Sequence, residues 1–287
     1  MPERAFPSPA KLNLFLHITG KRTDGYHNLQ TLFQFIDYCD TLYFSNTDHN
    51  GPIHLDTALP GVPMQANLIY RAATALRDAT GCHRGATIRI EKHLPMGGGL
   101  GGGSSNAATT LVALNHLWKT RLSEDQLADI GLTLGADVPV FVRGRAAVAE
   151  GIGEQLSDVS PEEPWYLLLI PNCHVETAAL FADKCLTRNS KPIRIRAFLE
   201  GQESGHNDFE PVARRLFPDI ETGFQLLNQL GHARLTGTGA CLFCAYPTRD
   251  AALAANQKLT TLAPDRFRFQ TRVARGMNLS PLQRSLL

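Results

Sequence analysis

The protein has 287 residues, which is long for one domain and comfortable for two, and its 28 basic and 27 acidic side chains leave a formal net charge of +1. A nearly neutral chain argues against a nucleic-acid partner, and the longest apolar stretch, around residues 167–170, is far too short to cross a bilayer. We therefore expect a cytoplasmic protein, monomeric or homodimeric, whose partners are small molecules. Its six scattered cysteines predict reduced thiols rather than a disulfide framework.

The first predicted element is a strand over residues 10–18, in which side chains alternate between two faces. One face carries Ala10, Leu12, Leu14, Leu16 and Ile18, and the other carries Lys11, Asn13, Phe15 and His17. Lys11 and Asn13 should therefore project side by side. A turn-rich loop over 19–27 follows, and the chain is then extended to Phe35 and again over 41–45.

Two helices and a glycine-rich segment come next. Asn67 is typical of an N-cap residue, and the helix it opens should run to Thr80 and end at Gly81. Residues 86–94 alternate like a strand, six glycines then occupy seven positions from Gly97, and residues 106–118 repeat apolar side chains at helical spacing. A glycine loop that opens a helix lets backbone N–H groups approach a polyanion closely, so this segment predicts a phosphate site.

Other interpretations of the glycine loop fit less well. A P-loop needs a lysine before its Ser or Thr, and no lysine follows these glycines. Gly97, Gly99 and Gly102 satisfy a dinucleotide-binding pattern, but the acidic residues about twenty positions on, Glu124 and Asp125, open a helix instead of ending a strand. A flexible linker is also possible from composition, although linkers are not usually set between a strand and a helix.

The segment from residue 123 to residue 164 contains an aspartate that is a candidate catalytic residue. Ser123 and Gln126 form a capping box for a helix that should close near Gly135. Asp137 follows in an apolar setting, and Pro139 should force Val138 into an extended conformation that starts a strand. A further strand is predicted over 146–150, and the polar, proline-bearing segment 157–164 is the best domain boundary.

The rest of the chain, residues 165–287, predicts a second layer, an antiparallel sheet backed by helices. The expected strands are 165–171, 240–246 and 267–274, and the expected helices are near 177–185, 207–216, 219–230 and 249–259. Residues 235–239, Leu-Thr-Gly-Thr-Gly, form a glycine-bearing turn at which a ligand or another backbone can approach, although a plain β-bulge explains it about equally well.

Several residues have both a chemical and an ordinary interpretation. Asp137 could act as a general base or orient a hydroxyl nucleophile, or it could be a turn aspartate bonded to its own backbone. Lys11 could neutralise a transferring phosphoryl group, or it could be a solvated strand lysine. Tyr26 and His27 would suit a nucleobase, or they could be ordinary loop aromatics.

These pieces occur together in one family. The segments that carry the resemblance are Ser8-Pro-Ala-Lys-Leu-Asn-Leu14, Asp24-Gly-Tyr-His27, Pro95 to Ser105, Gly135-Ala-Asp-Val-Pro139 and Leu235-Thr-Gly-Thr-Gly239. Together they resemble the GHMP kinase superfamily over essentially the whole chain. Within it they are similar to the branch that phosphorylates the 2-hydroxyl of a cytidine-diphosphate methylerythritol in the non-mevalonate route to isoprenoid precursors.

The resemblance implies an α+β fold of two domains with the active site in the cleft between them. Residues 1–160 would form an ATP-binding half like domain 2 of ribosomal protein S5, and residues 161–287 a ferredoxin-like α/β half that contributes to substrate binding. Asp137 would deprotonate or orient the acceptor hydroxyl, and Lys11 would steady Asp137 and the developing charge.

The resemblance also implies the binding residues. The expected ATP contacts are Asn67, Leu68, Pro95, Met96, Gly97, Gly98, Gly99, Leu100, Gly101, Gly102, Gly103, Ser104 and Ser105. The expected substrate contacts are Asn13, Tyr26, His27, Asp137, Thr177 and Phe181, with His27 reading the base edge and Tyr26 or Phe181 stacking on it.

The chain differs from many members of the family at the expected metal site. Many relatives carry an acidic residue after the two serines, whereas Asn106 stands there in this chain. Mg²⁺ is therefore expected mainly through ATP oxygens and water, and its protein ligands are unknown. Three alternatives remain: a relative acting on mevalonate, homoserine or a sugar, a non-catalytic nucleotide-binding regulator, and a dinucleotide oxidoreductase.

Overall fold

The structure is a computed structural model that describes residues 3–45, 50–57, 61–264 and 267–286. Its first half combines a mixed sheet with four helices and a short 3-10 turn at Met64–Ala66. The strands are β1 (Arg4–Lys21), β2 (His27–Ser45), β3 (Ile53–Leu55), β4 (Ala86–Glu91), β5 (Ala147–Glu150) and β6 (Gln155–Asp158). The helices are α1 (Leu68–Thr80), α2 (Gly102–Trp118), α3 (Glu124–Leu132) and α4 (Val138–Arg143).

The second half adds an antiparallel sheet and six helices among the described residues. Its strands are β7 (Trp165–Pro171), β8 (Arg234–Leu235), β9 (Leu242–Tyr246) and β10 (Phe269–Met277). Its helices are α5 (Thr177–Ala182), α6 (Ile195–Leu199), α7 (Glu210–Leu216), α8 (Pro218–Leu227), α9 (Arg249–Leu262) and α10 (Pro281–Arg284). The predicted antiparallel layer backed by helices is confirmed, with β7 lying between β9 and β10.

Strand β2 organises the first half. It pairs antiparallel with β1 along most of its length, with β4 at its C-terminal end and with β5 near residues 31–33. Helices α1 and α2 cover this sheet, and they bury Leu76, Leu111 and Trp118 in one apolar core with strand residues such as Phe44 and Ile88. The sheet thus holds β1, which carries Lys11, against α2 and the glycine run before it.

Strand β10 belongs to both halves. Over Phe269–Arg275 it pairs with β7, and at Gly276 and Met277 it pairs with β2. Met277 and Leu282, beyond it on α10, are buried in the core of the first half. The end of the chain therefore ties the two layers together.

The alternation predicted for the first strand holds only up to Asn13. A register shift between Asn13 and Leu16 breaks the pairing of β1 with β2. As a result Phe15 packs in the same core as Leu12, while Leu16 packs in the core of the second half. A bulge of this kind reverses which face each later residue occupies.

Two other local predictions need correction. The strand expected to start at Pro139 is wrong: Val138–Arg143 is a helix, because proline is tolerated in a first helical turn whose N–H groups lack partners anyway. Helix α2 also begins at Gly102, inside the glycine run, instead of at Asn106. All six cysteines are free, as expected. No helix in the described part of the chain is long and apolar enough to span a membrane.

Candidate active site

The structure brings Lys11 and Asp137 together although they are remote in sequence. Lys11 Nζ lies 3.6 Å from Asp137 Oδ2, and the lysine side chain is buried while the carboxylate is 37% exposed. Asp137 immediately precedes α4, but its side chain makes no capping hydrogen bond to that helix. The carboxylate is therefore open to a ligand on one side and to the ammonium group on the other.

Lys11 is held by more than Asp137. Its ammonium donates to Asn13 Oδ1 at 2.6 Å and to the Gly99 carbonyl at 3.1 Å, and it lies 5.1 Å from the centre of the Phe33 ring. Burial lowers the pKa of Lys11, and the neighbouring Asp137 carboxylate opposes that shift. The prediction that Lys11 and Asn13 project together is confirmed, and the pair points at the glycine loop.

The glycine loop adopts a conformation that side chains would prevent. Gly97, Gly99 and Gly101 all have positive φ, between 69° and 74°. A Cβ on Gly99 would lie 2.2 Å from the backbone oxygen of Thr236, so the loop over residues 235–239 packs directly on it. The Thr236 hydroxyl also donates to the Gly99 carbonyl at 3.3 Å. The late glycine-bearing turn is therefore a close approach of two backbones, as one of its two interpretations predicted.

The loop over residues 235–239 is itself anchored. The buried Asn207 side chain donates to the carbonyls of Leu235 and Gly237, at 2.9 and 2.8 Å. On the other side, the backbone N–H of Asn13 donates to the Thr236 hydroxyl at 3.0 Å. Thr236, which the sequence did not single out by itself, therefore links strand β1, the glycine loop and the second half of the chain.

A first cavity, of about 390 Å³, lies beside the glycine loop, where α2 begins. Of the thirteen predicted ATP contacts, the residues that line it are Asn67, Leu68, Pro95, Met96, Gly97, Gly98, Gly99, Gly101, Gly102, Gly103 and Ser104. Leu100 and Ser105 do not: both are buried, and Ser105 Oγ accepts a hydrogen bond from Ser8. Residues of the first turn of a 17-residue helix line this cavity together with the loop glycines, an arrangement suited to phosphate.

A second cavity of about 270 Å³ adjoins the first and contains the charged pair. Gly97, Gly99 and Gly101 line both cavities, so the loop forms the wall between them. Four of the predicted substrate contacts line the second cavity, namely Asn13, Asp137, Thr177 and Phe181. Lining residues that the sequence did not indicate include Ile152 and Gly153, which lie in the turn between β5 and β6. Thr238, from the glycine-bearing turn over residues 235–239, also lines this cavity.

The other two predicted substrate contacts, Tyr26 and His27, are not among the residues that line the second cavity. The His27 ring stacks on Phe181 with 5.0 Å between ring centres and 27° between planes. Tyr26 is 62% exposed. An exposed tyrosine beside a stacked histidine and phenylalanine leaves aromatic faces available to a planar base next to the cavity that holds Lys11.

Asn106 occupies a position that the structure explains. Its amide donates to Asp40 Oδ2 at 2.9 Å, and the fully buried Asp40 also accepts from Lys92 Nζ and from the backbone N–H groups of His93 and Leu94. Asp40 is thus fully engaged and is not free to ligate a metal. Within the described ranges, no three His, Cys, Asp or Glu residues form a group that could hold a metal ion. Lys92, which the sequence analysis did not single out, lines the first cavity.

Paired cavities divided by a glycine loop, with a lysine and an aspartate at the junction, are the geometry of a small-molecule phosphotransferase. The models of the GHMP kinase N-terminal and C-terminal domains match residues 67–145 and 188–264, and the chain belongs to the GHMP kinase family. Within that family it is similar to 4-diphosphocytidyl-2-C-methyl-D-erythritol kinases. The Pseudomonas syringae protein of that name is 53% identical over 285 residues, or 99% of this chain and 98% of the relative.

Other relatives agree. The Pseudomonas aeruginosa protein of the same name is 52% identical over 98% of this chain and 97% of its own length. A crystal structure of 4-(cytidine 5'-diphospho)-2C-methyl-D-erythritol kinase is 32% identical with a TM-score of 0.81, covering 96% of this chain and 99% of that one. A mevalonate kinase structure, at 16% identity and a TM-score of 0.69 over 96% and 99% of the two chains, shares the fold. The predictions of the family and of a GHMP kinase fold are confirmed.

Proposed function

We propose that this protein transfers the γ-phosphoryl group of ATP to the 2-hydroxyl of 4-diphosphocytidyl-2-C-methyl-D-erythritol, a step of the non-mevalonate route to isoprenoid precursors. The relatives that match nearly the whole chain bear the name of that kinase. The observation that carries the mechanism is the Lys11–Asp137 pair at the junction of the two cavities. Both substrates would meet there, with the reacting atoms beside a carboxylate and an ammonium group.

The roles follow from the contacts. The cavity that Asn67 and the glycine loop line would hold ATP, with its phosphates on the loop amides and on the N-terminus of α2. Asp137 would orient the acceptor hydroxyl and accept its proton. Lys11, which donates to the Gly99 carbonyl, lies at the wall between the cavities, where it would stabilise charge on the transferring group.

The acceptor would lie across the second cavity. Its erythritol end would contact Asn13 and Thr177, and its cytosine would stack against Tyr26 or Phe181 with His27 at its edge. Residues 1–160 would then supply mainly the ATP site, and residues 161–287 would supply part of the acceptor site. The proposal includes a cytoplasmic location, a monomer or homodimer, and no nucleic-acid or membrane partner.

Mg²⁺ would neutralise phosphate charge when bound with ATP, held mainly by the phosphate oxygens and water. The engagement of Asp40 by four N–H donors supports this arrangement, because it removes the carboxylate closest to Asn106 from metal binding. Asp137 is committed to Lys11 and the acceptor in the same scheme.

The test is a substrate comparison on the purified protein. ADP release and ³¹P NMR would be followed with Mg-ATP and, separately, the cytidine-diphosphate acceptor, mevalonate and homoserine. We expect phosphorylation of the first only, with competition by cytidine diphosphate. Phosphorylation of mevalonate or homoserine, or indifference to cytidine diphosphate, would overturn the proposed substrate. ATP binding without transfer to any acceptor would favour a regulator.

A further inference from the structure

The loop after α5 contains an arginine that contacts His27. Arg188 Nε donates to His27 Nε2 at 3.3 Å. This contact joins residues 161 positions apart, and it lies at the ring that stacks on Phe181. Among the described residues it is the one hydrogen bond that the imidazole of His27 makes.

Arg188 is held rigidly enough to act as a fixed donor. Its two terminal nitrogens donate to three backbone carbonyls, those of Phe181 at 2.7 Å, Asp183 at 2.8 Å and Leu186 at 3.0 Å. These carbonyls belong to the end of α5 and the turn that follows it. The guanidinium group therefore keeps its position relative to Phe181, the ring on which His27 stacks.

A guanidinium group has five N–H donors and no acceptor. Its hydrogen bond to Nε2 therefore requires that this nitrogen carry no proton. Burial, followed by the positive charges of Arg188 and Lys21, lowers the pKa of His27, so the ring is neutral near pH 7. A neutral imidazole whose Nε2 accepts must carry its proton on Nδ1.

We propose that Arg188 is a specificity-determining positioning residue that fixes His27 as a neutral ring with Nδ1–H as its one donor. This inference rests on the proposed function, in which His27 faces the edge of the substrate's base. Cytosine presents an unprotonated N3 that accepts from such a donor, whereas N3 of uracil carries a proton and repels it. Arg188 thereby selects a cytidine over a uridine diphosphate.

The expected discrimination follows from the cost of one unmade hydrogen bond. Leaving a partly buried donor unsatisfied costs about 1–3 kcal/mol, which corresponds to a preference for the cytidine form of about 5- to 150-fold. Without Arg188, either ring nitrogen of His27 can carry the proton and the ring can turn. The preference should then fall to within about threefold of equality, since the neutral ring can accept from uracil as well as donate to cytosine.

The test uses the full-length protein with cytidine diphosphate and uridine diphosphate as competitive inhibitors against the acceptor. Arg188→Met removes the donor and keeps a side chain of similar length. Arg215→Met is the matched control, because Arg215 donates to the Asp183 side chain in the same region and, among the hydrogen bonds of the described residues, makes none to His27. We expect Arg188→Met to lose the preference, and Arg215→Met and the wild-type protein to keep it.

A second readout reports the tautomer directly. In protein labelled with ¹⁵N-histidine, the side-chain nitrogen shifts of His27 should show a protonated Nδ1 in the wild type and a mixture in Arg188→Met. A wild-type ring protonated on Nε2 would overturn the inference even if the variant failed to fold. An unchanged preference in a folded Arg188→Met protein would do the same while leaving the proposed function intact. Failure of the wild-type protein to bind cytidine diphosphate would refute the proposed function itself and the inference with it.

Discussion

Replacing Gly99 by alanine is the sharpest test of how the glycine loop and the second half of the chain fit together. Gly99 has φ +74°, and its added Cβ would lie 2.2 Å from the Thr236 carbonyl oxygen. An ordinary carbon–oxygen contact is longer by about 1 Å, and both atoms belong to backbone, so one of the two loops must move.

The expected magnitude has two parts. A side chain in the left-handed region costs roughly 1–2 kcal/mol, and relief of the overpacked contact costs about 1–3 kcal/mol more. We expect the free energy of unfolding to fall by about 2–5 kcal/mol. Because the Gly99 carbonyl accepts from Lys11 Nζ, a shift of about 1 Å also misplaces Lys11, to which the proposed function gives a catalytic role, and this should lower kcat/KM by about 10²-fold.

Gly81 supplies the matched control. It has φ +61° and nothing within 4 Å of an added Cβ, so Gly81→Ala carries the left-handed cost without the clash. Urea unfolding of both variants separates the two contributions, and a coupled assay of ADP release measures catalysis. Equal losses of stability in the two variants, together with full activity of Gly99→Ala, would refute the packing argument.

Four further predictions concern the side chains of the site. Asp137→Asn should lower kcat by roughly 10²–10⁴-fold with an unchanged dissociation constant for ATP, and near-normal turnover would remove Asp137 from the mechanism. Lys11→Ala should cause a similar or larger defect in kcat, whereas an effect on substrate KM alone would limit Lys11 to binding. Burial lowers the pKa of Lys11, so the lysine should lose its proton, and kcat of the wild-type protein should fall, at a pH below the ordinary lysine pKa of 10.5. A kcat that stays constant up to and through pH 10.5 would contradict this. Tyr26→Ala should raise the KM for the acceptor by about 5- to 100-fold because the stacking contact is lost. Since Tyr26 is exposed, the free energy of unfolding should not change, and Tyr26→Phe should retain the wild-type KM.

Local chemistry made much of the site predictable. The glycine run, its flanking strand and helix, and the N-cap at Asn67 depend on residues within a few positions of one another. The side-by-side placement of Lys11 and Asn13 follows from the pleat alone. Such features can be inferred from one sequence because neighbouring residues determine them.

The remainder depends on contacts between distant residues. The bulge after Asn13 arises from pairing with β2, and no residue pattern marks it. The helix at Val138 shows that proline after an apolar residue is compatible with a first helical turn as well as with a strand. The approach of Thr236 to Gly99 and of Arg188 to His27 joins segments more than a hundred residues apart, which no local pattern encodes.

The return of β10 to the first sheet bears on how the chain is made. Met277 and Leu282 lie in the same core as residues of α2, so the half of the chain that carries the glycine loop lacks part of its interior until these residues have been synthesised. A fragment cut within residues 159–164 would lack β10 and α10, and it would leave Phe35 and Ile36 of β2 without their partners on β10. The packing of the glycine loop and α2 therefore depends in part on β10 and α10, the last of the described elements to be synthesised.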